Sequence, residues 1–142
     1  MVVMKIYFAG SITGGRSDVQ LYSKIIDLLK NYGEVLTEHI GKEDLSENGE
    51  EDKGAEYIHN RDLEWLNKSD LIVAEVTTPS LGVGYEIGRM ISEGREVICL
   101  YRNKNGTLSK MISGSKNTKI IYYGNLEELK KKLESYLVKL SG

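Results

Sequence analysis

The sequence predicts an α/β fold in which helices flank a mainly parallel sheet. Short runs rich in β-branched and aromatic residues alternate with longer segments of helical periodicity, the pattern of βαβ units. Two of the runs, Leu71-Ile72-Val73-Ala74 and Val97-Ile98-Cys99-Leu100, are unbroken apolar stretches, as strands covered on both faces require. At 142 residues, with 40% apolar and 28% charged side chains, the chain has the size and composition of one domain, residues 1–142, with its own core.

Taken in order, Val3 to Ala9 reads as the first strand. Asp18 to Tyr32 reads as a helix with Leu21, Ile25, Ile26, Leu28 and Leu29 on its apolar side and Gly33 as its stop. Glu34 to Glu38 is the second strand, and Ala55 to Lys68 the second helix. Leu71 to Glu75 is the third strand, followed by a third helix from Val83 to Glu93 that Gly94 ends. Val97 to Tyr101 and Lys119 to Tyr123 complete the strands, and Leu126 to Leu140 is the last helix.

Two irregular stretches remain, the acidic Ile40 to Gly54 and Arg102 to Asn117, the second with a short helical turn around Leu108 to Ile112. Loops of that length in a small domain tend to be lids or binding loops. In a doubly wound sheet, ligands bind beyond the carboxyl ends of the strands. That rule selects Gly10 to Arg16, Glu38 with His39, Val76 to Glu86, and the chain from Arg102 onward.

Composition narrows the function classes. A net charge of -2 argues against a broad grip on a nucleic acid polymer, which needs clustered Lys and Arg. The basic run Lys130 to Lys132 shares its helix with Glu127, Glu128 and Glu134 and reads as a solvated face. Cys99 stands alone in an apolar run, where a small buried side chain is expected and a disulfide framework is excluded. One Cys and two His supply too few ligands at suitable spacing for a zinc site, so neither metal nor other cofactor is expected. Met1 to Ile6 has no basic leader before a long apolar core, and no apolar stretch approaches the ~20 residues of a membrane span. A cytoplasmic protein away from membranes is the expectation.

The loop Gly10-Ser11-Ile12-Thr13-Gly14-Gly15-Arg16 offers hydroxyls, backbone N–H groups and a guanidinium where a helix begins. Such a place favours an anion, although a plain strand-to-helix turn also uses glycine. It lacks the Gly-Lys-Ser/Thr ending of a Walker loop. After the third strand, Thr77 to Gly88 holds the chain's only proline and three glycines. As a dinucleotide fingerprint it is poor, because the glycine spacing has one residue too many and Tyr101-Arg102 stands where an acid belongs.

Glu86 is expected in the first turn of the third helix, with Gly82 and Gly84 leaving space before it. A Glu there is either a group that satisfies the helix dipole or one of two carboxylates for glycosyl transfer, the other being Asp62 on the second helix. Tyr7, near the end of the first strand, is either a core tyrosine or a donor beneath the same pocket. His39 and His59 read as ordinary surface residues.

Several collinear blocks carry a resemblance from about Lys5 to Ile112: Lys5-Ile6-Tyr7-Phe8-Ala9-Gly10-Ser11-Ile12, Leu36-Thr37-Glu38-His39, Ile58-His59 through Asp62-Leu63-Glu64-Trp65-Leu66, and Val73-Ala74-Glu75-Val76-Thr77 through Pro79-Ser80-Leu81-Gly82-Val83-Gly84-Tyr85-Glu86. Together they resemble the 2'-deoxynucleoside 5'-phosphate N-hydrolases, which belong with the nucleoside 2-deoxyribosyltransferases. The resemblance implies a flavodoxin-like doubly wound sheet of five strands and a homodimer with a shared active site. The implied activity is hydrolysis of a deoxynucleoside 5'-monophosphate to free base and 2-deoxyribose 5-phosphate.

In that family's terms Glu86 matches the nucleophile, Asp62 the second catalytic carboxylate and Tyr7 the tyrosine that holds the site. Ser80 matches a phosphate-binding serine, and Ser109 one that reaches the phosphate of the neighbouring subunit. The substrate-binding set extends to Gly10, Ser11, Ile12, Thr13 and Arg16 in the first loop. It further takes in Tyr22, His39, Gly82, Lys110 and Met111.

One departure is Thr13, where the mammalian members have an arginine, although Arg16 is kept. The related transferases commonly carry an acid near the position of Ser80, suited to a free 5'-hydroxyl, whereas a serine accepts a phosphate. A 2-deoxy sugar lacks the electron-withdrawing 2'-oxygen, so charge builds readily at its anomeric carbon and a carboxylate is a fitting partner. Attack by Glu86 forms a glycosyl ester that water resolves. Asp62 then protonates the departing base and activates water, or anchors the 3'-hydroxyl. Two alternatives stand beside this reading: a deoxyribosyltransferase, in which a second base intercepts the intermediate, and a non-catalytic nucleotide-binding module.

Overall fold

The computed structural model describes residues 3–11, 18–37, 54–102 and 107–141. In chain order the elements are β1 (Lys5–Ala9), α1 (Val19–Leu29), β2 (Glu34–Val35), α2 (Ala55–Lys68), β3 (Leu71–Glu75), α3 (Leu81–Ser92), β4 (Glu96–Arg102), α4 (Lys110–Ser113), β5 (Lys119–Tyr123) and α5 (Leu126–Ser141). The five strands form one sheet in the order β2-β1-β3-β4-β5, with every pairing parallel. This is the flavodoxin-like order, whose direction of winding reverses between β1 and β3. The crevice beyond the carboxyl ends of those two strands is therefore the place this topology offers to a ligand.

Period-two alternation along the strands sorts the core into two layers. Ile6, Phe8, Leu71, Val73, Ile98 and Leu100 turn toward α1 and α5, where they meet Ile25, Leu29, Leu129 and Leu133. Tyr7, Ala9, Ile72, Ala74, Val97 and Cys99 turn the other way, toward Leu66 of α2 and Val83, Ile87 and Met90 of α3. All five residues of β3 are buried, as its apolar run requires. Cys99 is buried too, and loss of hydration pushes its thiol up to about 12, so it is held as an unreactive apolar filler.

The element boundaries differ from the sequence reading in two instructive places. β2 is two residues long because Thr37 takes over the pairing with its side chain: its hydroxyl accepts from Phe8 N at 2.8 Å and donates to Phe8 O at 2.6 Å. Gly33 is not a left-handed helix stop; a Cβ there would lie 2.2 Å from the Met4 carbonyl, so the residue is needed for close approach to the chain entering β1. Gly94, at φ 70°, does end α3 as expected of a glycine in the left-handed region. Among the described residues no helix is long and apolar enough to cross a membrane.

At the end of β1 the chain passes over the ring of Tyr22. A Cβ on Gly10 would stand 2.8 Å from Tyr22 Cζ, and Ser11 N donates to the Tyr22 hydroxyl at 3.1 Å. Gly10→Ala therefore forces either the loop or the ring out of place. We expect a loss of about 1–3 kcal/mol, read as a lower urea midpoint with an unchanged m value.

Candidate active site

Tyr7 is the β1 residue that the alternation turns toward the α2 and α3 layer, and it brings together three residues far apart in sequence. Its hydroxyl donates to Glu86 Oε2 on α3 in a short hydrogen bond. Asp62, on α2, is close enough that its charge acts on both Tyr7 and Glu86. Tyr7 is buried at 1% exposure, so the phenol rises from the floor of the site. Burial first, then the Glu86 and Asp62 charges, raise its pKa far above the usual phenol range, so it stays a proton donor.

Loss of hydration pushes the Glu86 carboxyl up to about 7; the Tyr7 hydrogen bond opposes that rise and the Asp62 charge adds to it. Asp62 is gripped by its neighbour. Arg61 Nε and Nη2 both donate to Asp62 Oδ1, at 3.1 and 2.9 Å. The guanidinium in turn lies over the rings of Trp65, at 4.7 Å, and Tyr57, at 5.7 Å. This clamp restrains the carboxylate whose charge reaches Glu86.

Glu86 does not occupy the first turn of its helix. The Ser80 hydroxyl accepts from Val83 N at 3.3 Å, which makes Ser80 the N-cap and starts α3 at Leu81, so Glu86 is its sixth residue. Half-buried in the second turn, it is neither a helix-capping carboxylate nor a freely exposed one. The open space expected around the glycines is present, since a Cβ on Gly84 would meet nothing within 4 Å and one on Gly82 only Ser80 Oγ at 3.9 Å.

On the other flank of the start of α3, Ser80 and Ser109 line one cavity of about 410 Å³ together with Met111, Thr77, Leu108 and Tyr101. Glu86, Tyr7 and Asp62 are not part of its wall, although Val83, Gly84 and Ile87 are. Ser109 caps α4, accepting from Met111 N at 3.2 Å. Lys110 is exposed, as are Met111 at 85% and Leu81 at 97%.

Tyr22 lies wholly within the core, where its ring packs under Gly10 and its hydroxyl accepts from Ser11 N, so its place is beneath the end of β1. Ile12, Thr13, Arg16 and His39 lie outside the described residues, as do Glu38 and the acidic segment 40–53. His59, read as an ordinary surface residue, places Nε2 3.1 Å from the Tyr85 hydroxyl, beside Glu86 in sequence.

One group escaped the sequence reading. Glu75, at the end of β3 and 1% exposed, accepts from Thr77 N at 2.8 Å, from Thr77 Oγ1 at 2.9 Å and, in a short bond, from the Tyr123 hydroxyl. Arg102 Nε lies 3.8 Å from the same carboxylate. Burial raises the Glu75 pKa, against the pull of those donors and of Arg102. A carboxylate closing an otherwise apolar strand was the available signal, but its partners come from β4, β5 and the loop after β3.

Comparison with known proteins identifies the family of the chain. The family model described as Nucleoside 2-deoxyribosyltransferase matches residues 6–132. The chain belongs to this family.

Among its relatives, the protein of Esox lucius named 5-hydroxymethyl-dUMP N-hydrolase is 48% identical over 97% of this chain and 99% of its own length. The protein of the same name from Danio rerio is 53% identical over 79% of each. The solved structure of Clostridium botulinum CMP N-glycosidase, BcmB, superposes with a TM-score of 0.67 at 20% identity, covering 93% of this chain and 98% of its own. At that identity the likeness establishes the shared fold.

In this member of the nucleoside 2-deoxyribosyltransferase family, the state of Glu86 carries a stability consequence. Its folded-state pKa, about 7, lies above the ordinary 4.5, so the folded protein holds the extra proton and its stability falls as pH rises from about 4.5 through about 7. The difference corresponds to roughly 3 kcal/mol at alkaline pH. Glu86→Gln removes that charge. We expect it to melt above the parent at pH 8, with the gap closing near pH 5, as measured by thermal denaturation across that range.

Proposed function

We propose that the chain hydrolyses the N-glycosidic bond of 2'-deoxynucleoside 5'-monophosphates, yielding free base and 2-deoxyribose 5-phosphate, with Glu86 as nucleophile. The observation that carries this reading is the convergence of Tyr7, Glu86 and Asp62 from β1, α3 and α2 at the reversal point of the sheet. The names of the relatives, N-hydrolases of a deoxynucleotide, supply its substrate class.

In the first step a Glu86 carboxylate oxygen bonds to the anomeric carbon while the bond to the base nitrogen breaks. The departing electron pair takes a proton from the acid form of Asp62. Tyr7 donates to Glu86 Oε2 throughout, so Oε1 is the oxygen turned to attack. In the second step Asp62 removes a proton from water, whose oxygen displaces the ester and restores Glu86. A partly desolvated carboxylate is suited to this work, because its attraction for the developing positive charge on the sugar is little weakened by water.

The phosphate is assigned to Ser80, Ser109 and the loop after β1. Ser80 uses its oxygen to cap α3, which leaves its O–H to donate to a phosphate oxygen. A second copy of the chain completes the site as a homodimer. The exposed apolar side chains Leu81 and Met111, which line the cavity, and the 51% exposed Tyr85 on α3 support this arrangement.

Incubation with a panel of deoxy- and ribonucleoside monophosphates, monitored for free base, tests the activity. Base exchange with an added second base, with no need for a 5'-phosphate, would instead identify a transferase. Glu86→Ala and Glu86→Gln should each lower turnover by more than about a thousandfold, and an active variant would remove the covalent route. Because the nucleophile must be ionised, kcat/KM should fall with acidification through about pH 7, the value to which Glu86 is pushed. Ser80→Ala or Ser109→Ala should raise KM for monophosphates about tenfold; unchanged values in both would undo the phosphate assignment.

A further inference from the structure

On the face of the sheet opposite Glu86, a second set of charges gathers where β3 and β4 end and α1 begins. Arg102 donates from Nη2 to Asp18 Oδ2 at 2.8 Å, and its Nε lies 3.8 Å from Glu75 Oε2. That Nε is buried and has no hydrogen-bond acceptor. Thr77 ties the group to the backbone, its hydroxyl accepting from Arg102 N at 2.9 Å and donating to Glu75.

Asp18 is the unusual member. It stands at the N-cap of α1, where a carboxylate ordinarily accepts from the first free N–H groups of the helix. Here its side chain caps nothing. It accepts instead from Arg102 and, at 3.4 Å, from the Thr78 hydroxyl. Thr78 is two residues from Ser80, a backbone reach of at most about 7 Å. Asp18 thus stands against the loop after β3, which carries Ser80.

We propose that Arg102 is a positioning residue for the monophosphate: it draws the Asp18 carboxylate toward β4 and neutralises it, so that a phosphate is accepted beside the loop after β3. An unpaired Asp18 would face the incoming dianion with a like charge. The ion pair therefore acts on phosphorylated substrates in particular, through Asp18 and not through contact of Arg102 with the ligand. The inference rests on the hydrolase reading above.

The test is a double-mutant cycle on Arg102→Gln, Asp18→Asn and their combination. It reads KM and kcat for a deoxynucleoside monophosphate and calorimetric binding of 2-deoxyribose 5-phosphate. Arg102→Gln should raise KM and weaken sugar-phosphate binding about tenfold, with kcat altered less than about threefold. Adding Asp18→Asn should bring both values back to within about threefold of the parent.

A double variant as weak as Arg102→Gln alone would overturn the proposal in favour of direct contact between Arg102 and phosphate. Equal weakening toward the unphosphorylated nucleoside would overturn it as well. Should Arg102→Gln fail to fold, Arg102→Lys retains the charge and is expected to bind like the parent; a tenfold loss there sinks the idea. A parent chain that releases no base refutes the hydrolase reading alone, because the binding cycle still reports whether Arg102 and Asp18 are coupled.

Discussion

A phenol on the first strand donates a hydrogen bond to a carboxylate on the third helix, and the organisation of the site follows from that contact. Tyr7 reaches Glu86 because β1 is a central strand whose alternate residues face α2 and α3. The parallel register with β3, in which Tyr7 stands opposite Ile72, sets its height above the core. A slip of one residue would turn Phe8 to that face and leave Glu86 buried without its donor. The packing of the sheet and the placing of the chemistry are thus one constraint.

One glutamate is buried, Glu75, and one half-buried, Glu86, and their surroundings separate them further. Glu75 is met by Thr77, Tyr123 and the Arg102 guanidinium, a set of donors that compensates its burial and ties three strands and α1 into one edge. Among the described residues Glu86 receives one donor, Tyr7, and faces the charge of Asp62. The first arrangement spends its carboxylate on holding structure, while the second leaves a carboxylate only partly satisfied and close to space. The difference in burial and the difference in partners point the same way.

Much of the fold was legible in the sequence because it depends on local periodicity. The bounds of α2, β3 and β5 follow from apolar patterning alone, and Gly94 marks the end of α3 for a reason visible in its own backbone. The misread boundaries arose where side chains replaced backbone groups: Thr37 pairing with Phe8, and Ser80 capping α3 ahead of glycines that read as loop. For the site, Tyr7, Asp62 and Glu86 were selected by resemblance and by their place after strand ends, and the folded chain sets them together. The Glu75, Arg102 and Asp18 cluster was not legible, since its ion pair joins residues 84 positions apart. No periodicity encodes such a pairing, which appears only when the strand order is known.

The resting balance of Glu86 explains why the site combines an apolar setting with a single phenol. Burial and the Asp62 charge favour the protonated carboxyl, a poor nucleophile, whereas full hydration would give a stable and unreactive carboxylate. The Tyr7 hydrogen bond pulls the proton affinity back against burial and the Asp62 charge, and the balance settles at about 7. That value leaves the anion accessible near neutrality yet weakly solvated, at a cost to folding that the two-layer core must absorb. The phenol is able to play this part because its own proton is locked by the same burial and the same two carboxylates. What makes Glu86 costly to the fold is therefore the same desolvation that would make it effective toward a cationic sugar, and Tyr7 sets how far that desolvation goes.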